Sequence, residues 1–282
     1  MIVDVHTHCL RPQHWGREFD EHWKPIYGYD YPDHTPAEFD AAMSAGNVDV
    51  AVVFGLTAAA VGVRTPHEFV AQFCRETSTP TVGFMSLDPL DADVFDQVDE
   101  GMELGLRGVK LYPVLAGFSP ADEDFRPFFD LLEKRGLVVL WHMGGSPSPE
   151  STLKYSQPLQ LDDVARRHRG LRQIIAHMGH PWQRDTVQVL RSNSNVYADV
   201  SGLWARPFDG YLALMNAVEW GVVPKLLFGS DFPLWAPGDA QQGLRTVAAG
   251  SGAPLPAVAD AVVDEIVNRD TCALLGLELT GA

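Results

Sequence analysis

The sequence predicts a (β/α)8 barrel: an α/β fold with one domain spanning residues 1–282. Two observations carry this. Eight short, near-continuously apolar runs recur along the chain with helix signals between them, which is how buried parallel strands joined by crossover helices read. Several of those runs also end on histidine or aspartate just before Gly or Pro, and barrel chemistry gathers at the C-terminal ends of strands.

The runs follow in order. The first is MIVDVHTH (1–8), rich in β-formers, and VDVAVVFGL (48–56), TVGFMSLDP (81–89) and GLRGVKLYP (105–113) succeed it. GLVVLWHMG (136–144), RQIIAHMG (172–179), NVYADVSG (195–202) and KLLFGSDFP (225–233) complete the set. Between them, Thr35-Pro36-Ala37-Glu38 reads as a capping box with Pro at the first helical position, and Gly46 follows as a stop. Thr65-Pro66-His67-Glu68 repeats that device. A helix is expected over Asp124–Arg135, closed by Gly136, and a final helical region over Ala257–Leu275. An open doubly wound sheet would usually carry a Gly-rich phosphate turn, and the chain has none.

Composition bounds the function. With 21 Lys and Arg against 37 Asp and Glu, the formal net charge is −16, which argues against nucleic acid or an anionic membrane as partner. The most apolar stretch, Val48 to Val63, is too short and too rich in Gly and Ala to span a bilayer. No signal peptide is visible, and three scattered cysteines (Cys9, Cys74, Cys272) fit a reducing cytoplasm better than a disulfide framework. A small-molecule substrate is the expected partner. A homodimer is left open.

The opening HTH asks why two histidines sit two apart where a strand runs out. Alternate residues on a strand share a face, so His6 and His8 project side by side. His142 closes the fifth run, His177 the sixth and Asp231 the eighth. Gathering so many polar groups at one end of a barrel would be costly without a ligand. Imidazole with carboxylate is the ligand set of Zn²⁺ and similar divalent ions. The connection from Cys9 to His34 is long and aromatic, with Trp15, Phe19, Trp23, Tyr27, Tyr29 and Tyr31. It is expected over the barrel mouth, as a lid or as a fixed plug.

HTH, WHMG, AHMG and FGSDFP, in this order, resemble the amidohydrolase superfamily. The closer resemblance is to its amidohydrolase-related branch, which holds metal-dependent hydrolases and non-oxidative decarboxylases such as aminocarboxymuconate-semialdehyde decarboxylase. AHMGHPW, NVYADVSG and NRDTCALLGL are also typical of that branch. The resemblance implies that His6, His8, His142 and Asp231 hold a catalytic divalent metal. Zn²⁺ is the first expectation, with Mn²⁺ or another divalent ion as alternatives. It implies that His177 orients or activates water or ligates a second metal, and that Asp231 takes the water's proton. Lys110, in GVKLYP, matches the strand-four lysine that is carboxylated in binuclear members. A lysine that binds a substrate anion is the other reading.

Hydrolysis of an ester, lactone or amide is the expected reaction, and decarboxylation of a cyclic carboxylate is the alternative. A non-catalytic metal-binding barrel fits less well, since the ligand set is complete. Trp15, Trp182, Trp204 and Trp235 would form an aromatic rim for a ring-shaped substrate. Arg184 and Arg206 are candidates to clamp a substrate carboxylate. Each sits beside a helix start, so both are expected to face solvent rather than the metal. His180 is read as orienting its loop.

Overall fold

A computed structural model describes residues 1–15, 21, 25–26, 33–250 and 255–280. Eight parallel strands form one sheet: β1 (Val3–His8), β2 (Val50–Phe54), β5 (Thr81–Ser86), β6 (Gly108–Leu111), β7 (Val138–Trp141), β8 (Arg172–Ile175), β9 (Val196–Asp199) and β10 (Leu226–Leu227). A two-residue antiparallel pair, β3 (Thr57–Ala58) and β4 (Val63–Arg64), sits apart from it and was not foreseen. The strands pair in sequence order with helices between them, so the expected (β/α)8 barrel is what the chain forms.

Backbone bonds close the ring beyond the end of β10. Val5 N–H donates to Phe228 O at 3.0 Å, Asp231 N–H to His6 O at 2.8 Å and His8 N–H to Phe232 O at 2.7 Å. These join the first barrel strand to the segment after the last, and satisfy groups that an open edge would leave bare.

Strand alternation separates two apolar clusters. Val52, Phe54, Val82, Phe84, Val138, Leu140 and Ile174 belong to the smaller, which fills the barrel interior; Leu275 and Leu277 join it from the end of the chain. Val109, Leu111 and Trp141 alternate to the outside, where Trp141 packs against Phe129 of the helix Arg126–Lys134, ring centroids 5.4 Å apart. Truncating a fully buried leucine such as Leu140 to Ala would cost about 2–5 kcal/mol.

The helix Pro36–Ala45 starts as expected. Thr35 accepts from Glu38 N, Glu38 reaches back to the Thr35 amide, and Gly46 follows the last turn. The second capping signal resolves differently. The helix His67–Glu76 has no side-chain cap, because the Thr65 hydroxyl accepts from Leu56 N at 3.0 Å and donates to Leu56 O at 3.1 Å. The predicted helix at 124–135 is a 3-10 turn (Glu123–Phe125) running into the helix Arg126–Lys134. The last region divides into Asp260–Val267 and Thr271–Leu275.

The three cysteines are free. Among the described residues no helix is long and apolar enough to cross a membrane. Much of the loop expected over the mouth, including Phe19, Trp23, Tyr27, Tyr29 and Tyr31, lies outside the described residues.

Candidate metal centre

The closing seam assembles a three-donor cluster. His6 and His8 end β1 on one face, and Asp231 follows β10 with φ 62°. Asp visits that left-handed region more readily than most residues. The bond from the Asp231 amide to His6 O turns its carboxylate back over β1. Asp231 Oδ1 then lies 3.3 Å from His6 Nε2 and 3.2 Å from His8 Nε2. Two donors on one tetrahedral ion with bonds of about 2.0–2.1 Å stand roughly 3.3–3.4 Å apart, so the spacing fits a divalent cation. His8 Nδ1 is buried with no hydrogen-bond partner. Nδ1 therefore leaves the tautomer of His8 unpinned.

A second network holds the first. Asp199, the last residue of β9, accepts from His6 Nδ1 at 2.9 Å through Oδ2. Its Oδ1 accepts from His177 N at 2.9 Å and Ser201 N at 3.0 Å, and the Ser201 hydroxyl donates to it as well. Ser201 Oγ also lies 2.8 Å from His177 Nδ1. His177 and Met178 take φ of 54° and 49°, a conformation rare for such side chains that is held where the surroundings over-determine it. This strand end carries the His177 ring to 4.7 Å from that of His6, centroid to centroid. His142 reaches the same end of the barrel. Its ring is 5.4 Å from His177 and stacks on Tyr112 at 5.6 Å. It stands outside the His6, His8 and Asp231 triplet.

Over these groups opens a cavity, its mouth in solvent, with His8, His142, His177 and Asp231 in its lining. Trp15 and Trp235 line its wall, and Trp204 packs edge-on behind Trp235 at 5.6 Å. Trp182 is half-buried outside the lining. Arg206 is exposed yet lines the cavity beside His180, whereas Arg184 lies in a separate surface groove with Asp185 and Trp220. Both arginines are exposed, and of the two it is Arg206 that reaches the cavity wall.

The model of the family described as amidohydrolase matches residues 3–266. The chain belongs to the amidohydrolase family. As a member it is an enzyme, and members of this family bind a divalent metal. No curated protein matches the chain. Among solved structures, a probable 2-pyrone-4,6-dicarboxylic acid hydrolase from Acinetobacter baumannii, with citric acid bound, is 16% identical with a TM-score of 0.69, covering 98% of this chain and 99% of its own. The 5-carboxyvanillate decarboxylase of Sphingomonas paucimobilis is 15% identical with a TM-score of 0.70, covering 98% of this chain and 99% of its own. An amidohydrolase from Burkholderia multivorans with bound zinc is 16% identical with a TM-score of 0.65, covering 99% of this chain and 100% of its own. These likenesses establish a shared fold.

In this amidohydrolase the electrostatics of the site suit metal ligation, which needs neutral imidazole and ionised carboxylate. Burial lowers His6 and His8 from the ordinary histidine value, drives His142 well below it and brings His177 to about 4. Burial pushes the Asp231 carboxyl up, but His6, His8 and His177 around it hold it below the usual range. Asp199 is held down in the same way, first by His6. Lys110 is fully buried, its Nζ without a hydrogen-bond partner, 4.8 Å from the Phe54 ring centroid and 4.9 Å from that of Tyr112. Burial brings it down to about 7. Asp199 is the site residue the sequence reading missed. Its signal was available: it ends the seventh apolar run as His142 and His177 end theirs.

Proposed function

We propose that this amidohydrolase is a metal-dependent hydrolase that cleaves an ester, lactone or amide bond in a small cyclic substrate. The observation that carries this is Asp231. Its carboxylate is ionised, touches both β1 histidines and faces the cavity. When bound, the ion would polarise the bond to be cleaved and acidify water to a pKa of roughly 7.

His6, His8 and Asp231 would hold that ion, with His142 as the fourth protein ligand. Zn²⁺ is the ion proposed. Nε2 of His6 is the free donor, since Nδ1 gives its proton to Asp199. The Asp231 carboxylate is the base that accepts a proton from water. His177, kept neutral by burial and held at Nδ1 by Ser201, turns Nε2 to the reacting centre and orients water or the substrate oxygen. Trp15 and Trp235 would pack the faces of a ring. Three free cysteines are in keeping with a reducing, cytoplasmic setting.

Arg206 favours a second reading. A guanidinium on the cavity lining would suit a substrate carboxylate, which a decarboxylase must hold. A hydrolase acting on a carboxylated ring would use it equally. Metal analysis combined with a screen of lactones, esters and aromatic carboxylates separates the two. Base-consuming hydrolysis without CO₂ is the expected result. Release of CO₂ from an aromatic carboxylate, with no hydrolysis of any lactone or ester, would replace the hydrolase reading by the decarboxylase.

A further inference from the structure

None of the residues considered next lines the cavity. Asp130 and Glu133 stand three apart on the helix Arg126–Lys134, the spacing that puts two side chains on one helix face. His168 ends the helix Gln160–Arg167, four residues before β8 begins. It is therefore at the opposite end of the barrel from the catalytic histidines. Its Nδ1 lies 3.3 Å from Asp130 Oδ1 and 3.5 Å from Glu133 Oε2.

His168 is only 2% exposed, and its Nδ1 is buried without a hydrogen bond, despite two carboxylate oxygens at that range. A carboxylate oxygen and an imidazole lone pair repel unless something positive stands between them. A proton on Nδ1 would serve, but neither oxygen meets it with hydrogen-bond geometry. A divalent cation serves without that alignment. Two donors on a tetrahedral ion with Zn-like bonds stand roughly 3.3–3.4 Å apart, close to both measured distances. The three donor atoms all lie within 4.8 Å of one another.

The donors are also held in place. The His168 amide donates to Val164 O at 3.0 Å, and its carbonyl accepts from Asn195 Nδ2 at 2.8 Å. The Phe129 ring meets the imidazole edge-on at 5.9 Å. Glu133 is fixed at its other oxygen, since Oε1 accepts from Gly170 N. That leaves Oε2 to face the histidine.

We propose that Asp130, Glu133 and His168 form a peripheral site for a divalent cation of the zinc class, with water completing the shell on the exposed side. It joins two crossover helices on the outside of the barrel. It serves stability, not turnover.

The test equilibrates the purified enzyme with zinc chloride, removes loose metal by gel filtration and counts zinc per chain. Wild type should carry one zinc more than Asp130→Asn or His168→Gln, with turnover unchanged. Added zinc should raise the melting temperature of wild type by a few degrees more than that of either variant, as expected for a ligand that binds only the folded state. Asp130 is exposed, so Asp130→Asn keeps the test valid if His168→Gln folds poorly. The same zinc count and the same melting shift in wild type and Asp130→Asn would overturn the proposal. So would a single zinc in wild type that disappears in His8→Ala; a His8→Ala protein that keeps one zinc and loses it when Asp130→Asn is added would support it, whatever becomes of the catalytic reading.

Discussion

The carboxylate of Asp199 accepts from Nδ1 of His6 at 2.9 Å, which leaves Nε2 as the nitrogen that His6 would offer to a metal. A carboxylate only accepts, so the proton stays on Nδ1 and the lone pair on Nε2 faces Asp231. Asp199→Asn puts an amide there that can donate as well, and the tautomer is no longer fixed. Metal affinity should fall about 10–100-fold, read by competition with a chromophoric chelator. Unchanged affinity would mean that the neighbouring ligands alone align His6.

His177 should separate binding from turnover. It is tied to the Asp199 network through Ser201 but lies outside the His6, His8 and Asp231 triplet. In His177→Ala the protein should keep most of its metal while turnover falls by at least about 100-fold, the usual span of a positioned acid–base group. A drop from two ions per catalytic site to one would assign His177 to a second metal. Lys110 would then be examined by mass for a carbamate.

The two arginines supply a matched pair. Arg206 lines the cavity and Arg184 does not. On a carboxylated substrate Arg206→Gln should cost about tenfold or more in kcat/KM, roughly 1.4 kcal/mol of barrier. Arg184→Gln should change it by less than about twofold. Equal effects would remove Arg206 from the substrate contacts.

Acid should destabilise the metal-free protein in a definite window. His177 and His180 are held at about 4 and about 3, chiefly by burial, and His6, His8 and His142 are lowered as well. Unfolded, each takes up a proton near pH 6.5. Between that pH and about 4 the unfolded chain therefore holds more protons, and stability is lost as pH falls, by about 1.4 kcal/mol per pH unit for each proton of difference. Asp4, which burial pushes up to about 7, runs the other way with one proton. Several histidines outweigh it. The urea midpoint of chelator-treated protein should drop between pH 7 and pH 5. A flat profile would show that these histidines protonate without cost.

Most of the barrel could be read from the chain because each interior strand is apolar on both faces, so its run stands out with no tertiary knowledge. The strand-end histidines and Asp231 were visible for the same reason: each is a polar interruption at a fixed place in that pattern. Asp199 shares the pattern, yet its work is a hydrogen bond to a residue 193 positions away, which exists only once the ring is closed. Thr65 carried the local signature of a cap, and its hydroxyl was taken by Leu56 across a turn. Arg184 and Arg206 have equivalent sequence settings. Only the path of the loops after β8 and β9 decides which one reaches the cavity.

The seam that closes the barrel brings His6 and His8 against Asp231, donors from near the start of the chain and from 223 positions beyond His8. On a ribosome the first two emerge together and the third 223 residues after His8. During that interval a growing chain holds two of the three donors and no closed ring. A metal held by these three donors would be captured only after the ring has closed, and would act as a clasp between β1 and the segment that follows β10.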